Sequence, residues 1–346
     1  MKAGGPYRRR GRLTITTSSV ALPKWRVLMH VTVGICTRNR GERIGRTVAS
    51  ILASDYQDFD VIVADQSVTD EAADAVRQAA GCDSRVTCIR TASVGKSLAL
   101  NTVIKNARGP VVAFTDDDCD VSPGWLHSLV SHFTRDPQAG EICGAVLAGP
   151  HDARNGYIPD APIRATTRIT SPWARWRERG IGANVAFRLD ALQAVGPYDT
   201  VLGPGGPLYT GEDFDMTYRM LKAGYAVLDV PDAYVVHHGF RTWEEGRSHM
   251  RRTGLAVGAV YMKHLRMGDV AVLPTFVYEL VSCISWTRLL TLQPRNGLGR
   301  FAGFLTGCLV SFRYQVDRRC RVYRIGLHDG VDEPQKTGSD PGKQPK

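Results

Sequence analysis

Three consecutive carboxylates, Asp116, Asp117 and Asp118, follow the apolar run Val111 to Phe114 in the stretch VVAFTDDDCDVSPGWL. Such a run reads as a buried strand, so the acids emerge at the edge of a sheet. Like charges side by side repel one another, and at a strand end they are costly unless a cation neutralises them. Oxygen ligands suit a hard divalent ion such as Mg²⁺ or Mn²⁺, which commonly shares its coordination with substrate phosphates. A metal-diphosphate site is one reading. The other is an acidic turn with an aspartate capping a helix that starts within Asp120-Val-Ser-Pro-Gly-Trp125.

A second acidic group lies in Gly211-Glu-Asp-Phe-Asp-Met216. Glu212 and Asp213 either supply negative charge to a helix N-terminus or present a proton acceptor to a crevice. Asp213, Met216 and Met220 fall on one helical face, and Arg219 can reach an anionic ligand or pair with Asp215 at i, i+4. Gly95-Lys96-Ser97 has the tail of a phosphate-binding loop, but Arg90 stands where that motif needs its first glycine, which excludes an ATPase of that class.

The elements that must position these residues alternate. His30 to Cys36 and Phe59 to Ala64 read as strands, as do Val86 to Ile89 and Pro110 to Phe114, with helical spacing after each of the first three. Four strands alternating with three helices indicate a parallel α/β sheet whose ligands bind beyond the carboxyl ends of its strands. Thr37, Arg38, Asp65 and Asp116 all fall at such ends. Asp65 is equally suited to an Asx-turn, and Arg38 and Arg40 to plain solvation. Tyr234 to His238 reads as a last strand ending in two imidazoles. Gly203 to Pro207 suits a loop near an acceptor or a simple connector.

The chain has 346 residues and a net charge of +10, unevenly spread. Residues 1–30 carry +7, residues 31–240 carry −5 and residues 241–346 carry +8. A nucleic-acid-binding domain would concentrate positive charge on its folded core, so basic ends on an acidic middle favour contact with anionic lipid. The eight cysteines form no C-x-x-C pair and no zinc spacing, as expected for reduced cytosolic thiols. No apolar run precedes Trp25 to form a secretory signal, and Met29 is a plausible alternative translation start. After residue 240 the composition changes to basic and amphipathic. Thr242 to Lys263 is helical in pattern, Val270 to Leu292 is apolar but interrupted by Glu279 and Arg288, and Leu298 to Phe312 carries Gly299, Gly303 and Gly307 at the spacing of close helix packing. Neither apolar stretch is a clean span. Shallow contact with a membrane face is one expectation and a soluble helical cap on the sheet the other. Residues 1–29 and 329–346 read as disordered.

The runs VTVGICTRNR, VIVADQS and SVGKSLALNTVIKNARGPVVAFTDDDCDVSPGWL resemble the nucleotide-binding half of a family 2 glycosyltransferase with the GT-A fold. GANVAFR (182–188), VGPYD (195–199), LGPGG (202–206) and GEDFDMTYR (211–219) resemble the acceptor-side blocks in their usual order. The resemblance covers residues 30–240 and leaves 241–328 as a helical extension. It implies a Rossmann-like, mostly parallel sheet flanked by helices. It further implies that Thr37 and Arg38 border the nucleotide, that Asp65 bonds the base, and that Lys96 and Asp117 lie on the donor side. Asp116 and Asp118 would form the metal site with His237 as an added ligand, and Asp213 would be the catalytic base, with Glu212 its substitute. The implied activity is inverting, metal-dependent transfer from a nucleotide-diphosphate sugar to a lipid-linked or cell-surface glycan, at the cytoplasmic face of the plasma membrane and without nucleic acid. The competing readings are a sugar nucleotidylyltransferase, whose opening glycine-rich loop is not matched by Thr37-Arg-Asn-Arg40, and a catalytically silent carbohydrate-binding protein.

Overall fold

The computed structural model describes residues 29–174, 181–284 and 294–324. The expected disordered segments, apart from Met29, and Arg288 lie outside them. The chain opens β1 (Val31–Thr37), α1 (Gly41–Leu52), β2 (Phe59–Asp65), α2 (Glu71–Ala80), β3 (Val86–Arg90), α3 (Lys96–Asn106) and β4 (Val111–Asp116). It continues through β5 (Cys119–Val121), α4 (Trp125–Arg135), β6 (Ala139–Ala148), β7 (Gly156–Tyr157), β8 (Thr167–Ile169), β9 (Asn184–Arg188), α5 (Leu189–Val195), α6 (Glu212–Lys222), β10 (Ala226–His237) and β11 (Arg241–Thr242). Then follow α7 (Trp243–Arg266), α8 (Leu273–Ile284), α9 (Pro294–Val310) and the hairpin β12 (Gln315–Asp317) and β13 (Val322–Arg324).

The main sheet runs β3-β2-β1-β4-β9-β6-β10-β5, with β8 on β10. β1 to β4 are mutually parallel, and β9 enters antiparallel between β4 and β6. Alternate residues of each strand face opposite layers. Val31, Val33 and Ile35 pack with Ile44 and Val48 of α1 and with Leu129 of α4, whereas Ile62, Val112 and Phe114 pack with Leu100 and Val103 of α3 and with Met216 of α6. This is an α/β/α sandwich. A third cluster, including Phe214, Tyr218, Val257, Val260 and Phe304, joins α6 to the C-terminal helices.

The acidic run does not cap α4. Asp117 and Asp118 form the turn between β4 and β5, and Gly124 precedes α4 with no side-chain cap. The short strand β5 pairs antiparallel with the end of β10, which gives the turn a neighbour that an isolated helix start would lack.

Candidate active site

Strand register collects the first residues of the site. Thr37 pairs with Asp65 and Cys36 with Asp116, so the ends of β1, β2 and β4 are level. Asp65 is fully buried, and its Oδ1 accepts a hydrogen bond from Ser67 N at 2.8 Å, the Asx-turn expected of its position. Its Oδ2 is buried with no partner. A buried carboxylate oxygen left without a donor is costly, so Asp65 serves the turn and retains an acceptor for a ligand N–H. Arg38 is exposed past the end of β1.

The three adjacent aspartates diverge. Asp116 Oδ1 accepts from Lys96 Nζ at 2.5 Å. Asp117 turns inward, accepting from Thr37 Oγ1 at 2.7 Å and from Arg40 Nη1 at 2.9 Å, and burial pushes its carboxyl up. Asp118 Oδ2 accepts from the same Arg40 nitrogen at 3.1 Å. Its Oδ1 accepts no hydrogen bond and lies 3.2 Å from His237 Nε2. Arg40, which solvation alone would explain, is therefore part of the cluster.

β10 delivers His237 opposite Cys119 of β5. His237 Nδ1 lies 2.8 Å from the carbonyl oxygen of Pro159, so Nδ1 carries the proton and donates. The Nε2 lone pair of the neutral ring then points at a carboxylate oxygen. Something positive must sit between them. Burial disfavours the charged form of His237, yet Asp118 and the Pro159 carbonyl outweigh it and raise its pKa. Burial likewise disfavours the charged form of Asp118, but His237 and Arg40 hold its pKa down. Either a proton or a metal ion meets that demand, and one imidazole nitrogen with carboxylate oxygens suits Mn²⁺ or Mg²⁺. Asp118, Cys119 and His237 bring ligand atoms within 4.8 Å of one another. Asp116, expected in this set, is engaged by Lys96 instead. Burial pushes the Cys119 thiol well above its ordinary value, which leaves it a poor ligand for a hard ion. His238 bonds Asp120 Oδ2 at 3.0 Å and stands apart.

The second acidic group sits at the N-terminus of α6, where Gly211 adopts φ +95° to turn the chain into the helix. Glu212 is buried and its Oε2 has no partner. Burial first, and the neighbouring Asp213 second, push its carboxyl up to about 8. Asp213 is more open, with Oδ2 accepting from Gly182 N at 3.2 Å. A Cβ built on Gly182 would lie 3.6 Å from Asp213 Oδ2 and 3.8 Å from Lys96 Nζ, so Asp213 and the Lys96–Asp116 pair face one point. Lys96 is itself held by backbone. Its N–H donates to Pro204 O at 2.8 Å and Ser97 Oγ donates to Leu202 O at 2.8 Å. The glycine-rich loop thus fixes the N-terminus of α3.

Asp213 also lines a cavity of about 720 Å³ between α6, residues 160–167 and α7. Thr217, Asp229, Arg164, His249 and Met250 share its wall. Burial, with Arg241 and Arg252 adding to it, pushes His249 down to about 4, so this ring is neutral at pH 7. Asp118 does not line this cavity. What lies between the two sides is the Asp116–Lys96 pair.

Arg219 takes no part in either side. Its Nε donates to Asp215 Oδ2 at 3.0 Å and its Nη1 to the carbonyl of Val195 at 2.9 Å. Of the two roles open to it, helix pairing is the one realised.

Residues 32–196 match the family model described as glycosyl transferase family 2. This segment is a family 2 glycosyltransferase domain. The domain resembles a glucosyl-dolichyl phosphate glucuronosyltransferase of Haloferax volcanii, 29% identical over 51% of this chain and 58% of that protein. It also resembles succinoglycan biosynthesis protein ExoM of Rhizobium meliloti, 29% identical over 60% of this chain and 66% of that protein. Pre-mycofactocin glycosyltransferase of Mycobacterium tuberculosis is 24% identical over 84% of this chain and 58% of its own length. The chain thus spans about three fifths of the length of the curated relatives it matches. The mannosyltransferase PcManGT from Pyrobaculum calidifontis, solved with GDP-Man and Mn²⁺, superposes with a TM-score of 0.56 at 18% identity, covering 84% of this chain and 88% of that one. That likeness establishes the GT-A fold of the family 2 domain.

Proposed function

We propose that the chain is an inverting, metal-dependent glycosyltransferase that moves a sugar from a nucleotide diphosphate to a lipid-linked or cell-surface glycan at the inner face of the plasma membrane. The observation that carries this reading is the pairing of two unequal acidic sites across Lys96. On one side Asp118 Oδ1 and His237 Nε2 demand a cation. On the other Asp213 opens into a cavity of a size suited to a small-molecule acceptor.

Asp118 and His237 would hold the metal, with Asp116 within reach of the same diphosphate. A bound divalent ion there would stabilise charge on the departing diphosphate. The chain's own residues do the rest. Asp65 Oδ2 accepts from the donor base, and Thr37 and Arg38 border the nucleotide. Lys96, held in place by the glycine-rich loop, keeps a positive charge between the diphosphate side and the base. Asp213 Oδ2 takes the proton from the attacking acceptor hydroxyl, so the sugar transfers in one displacement with inversion. Glu212, kept protonated by burial, is the weaker candidate for that task.

A thermal-shift panel of nucleotide sugars with and without Mn²⁺ tests the reading. Stabilisation by one nucleotide class that requires Mn²⁺ and vanishes in Asp118→Ala is expected. Transfer that persists in a chelator would remove the metal from the mechanism.

A further inference from the structure

The apolar stretch beginning at Val270 looks unsuited to lipid because Glu279 interrupts it. The fold removes that objection. Glu279 turns inward and forms an ion pair with Arg300 of α9, the two side chains being 2% and 5% exposed. Phe276 packs beside it on the Phe304 ring at 5.4 Å between centroids. α8 leaves outside Leu273, Val277 and Val281, spaced four residues apart on one face, with Pro274 and Tyr278 beside them. α9 leaves Leu305 and Leu309 outside, and Phe312 follows at its end, with Leu309 73% and Phe312 62% exposed. No acidic residue lies on this outer face among the described residues.

The face cannot roll inward. Gly254 and Gly258 of α7 meet Gly303 and Gly307 of α9, and a Cβ at any of the four would come within 2.4 Å of a carbonyl oxygen on the other helix. Close backbone contact along small residues fixes the rotation of α9. At the near end of the patch Trp173 is 58% exposed, with its Nε1 donating to Ala271 O at 2.9 Å, the placement of an interfacial indole. Beyond α9, Arg313, Arg318 and Arg319 are exposed. No described helix is long and apolar enough to cross a membrane.

We propose that the outer face of α8 and α9 is an in-plane anchor. Its apolar side chains enter the headgroup boundary of an anionic bilayer while the arginines after α9 bind lipid phosphates. A second copy is the less suitable occupant, because this face offers, among the described residues, no acidic residue for the arginines after α9 to pair with. The proposal rests on the function proposed above only in placing the protein at a membrane.

Vesicle co-sedimentation tests it with neither donor nor acceptor present, so its failure would leave the transferase reading standing. The protein should pellet with phosphatidylcholine vesicles containing phosphatidylglycerol and bind pure phosphatidylcholine weakly. The triple variant Val277→Asp, Val281→Asp, Leu309→Asp should lose about tenfold or more of that affinity. Leu309→Asp alone, at the most open of these positions, carries the test should the triple variant lose its near-UV circular dichroism. Arg318→Glu with Arg319→Glu should weaken binding at low salt and match wild type at high salt. Wild-type protein left in the supernatant with anionic vesicles, or charged variants that bind undiminished, would overturn the proposal. A dimer in light scattering that the triple variant splits, with no vesicle binding, would assign the face to a second copy instead.

Discussion

Two groups of acids meet on α6 and are treated in opposite ways. Asp215, with Asp199 nearby, lies in the core. Lys263 Nζ sits 2.8 Å from Asp199 Oδ2 and 2.7 Å from Asp215 Oδ1, and His264 and Arg219 add contacts to Asp215 at 2.9 and 3.0 Å. Burial opposes the charge on Asp215, but Lys263 and Arg219 hold its carboxyl well below the ordinary range. One turn earlier, Glu212 keeps a buried oxygen unpaired and Asp213 opens into a cavity. Every carboxylate oxygen of the core pair has a partner, whereas Glu212 in the crevice keeps one without. Buried polar atoms are normally satisfied, so the unpartnered Glu212 oxygen sets the crevice apart from the core carboxylates.

The contrast can be broken experimentally. The largest effect is expected from Asp213→Asn, which should lower transfer by about 10²–10⁴-fold with nucleotide affinity unchanged; equal turnover would refute the base assignment. Lys263→Met strips the core acids of their shared cation and should cost about 3–5 kcal/mol of stability in urea unfolding. A cost under about 1 kcal/mol would mean that Arg219 and His264 suffice. Asp118→Ala should reduce Mn²⁺ affinity by at least about tenfold, seen by calorimetry, without shifting the urea midpoint by as much as Lys263→Met does. The smallest effect sharpens the comparison through pH. Glu212 has a folded pKa of about 8 against an ordinary 4.5, so the folded protein keeps a proton that the unfolded chain releases. Its contribution to stability is whole below about pH 4.5 and is lost as pH rises through about 8. Glu212→Gln should flatten that decline in melting temperature, whereas Asp215→Asn should not.

Much of the sheet was legible in the sequence because four apolar runs separated by helical spacing admit few arrangements, and Thr37, Asp65 and Asp116 fell at their ends. The direction of β9 was not. Five residues reading NVAFR carry no sign of whether they run with or against β4. Within the site, the three aspartates were visible as a group but not as three different roles, since a tight turn sends neighbouring side chains in different directions. Arg40 looked solvated, and only the fold of the turn brings it to Asp117 and Asp118. The Lys263 hub was hidden for a different reason. Its partners lie 64 and 48 positions away in the chain, and a basic helical stretch gives no hint that one lysine points inward.

That hub bears on where the molecule can be divided. Residue 240 marks a change of composition and invites a cut, yet the amine that balances Asp199 and Asp215 is supplied from beyond it. Tyr323 N also donates to Asp199 Oδ2 at 2.8 Å. A chain stopped at 240 would leave Asp199 with no cation and Asp215 with Arg219 alone, beneath the helix that presents Asp213. The buried charge network that supports α6 therefore extends past the family 2 homology to the final hairpin.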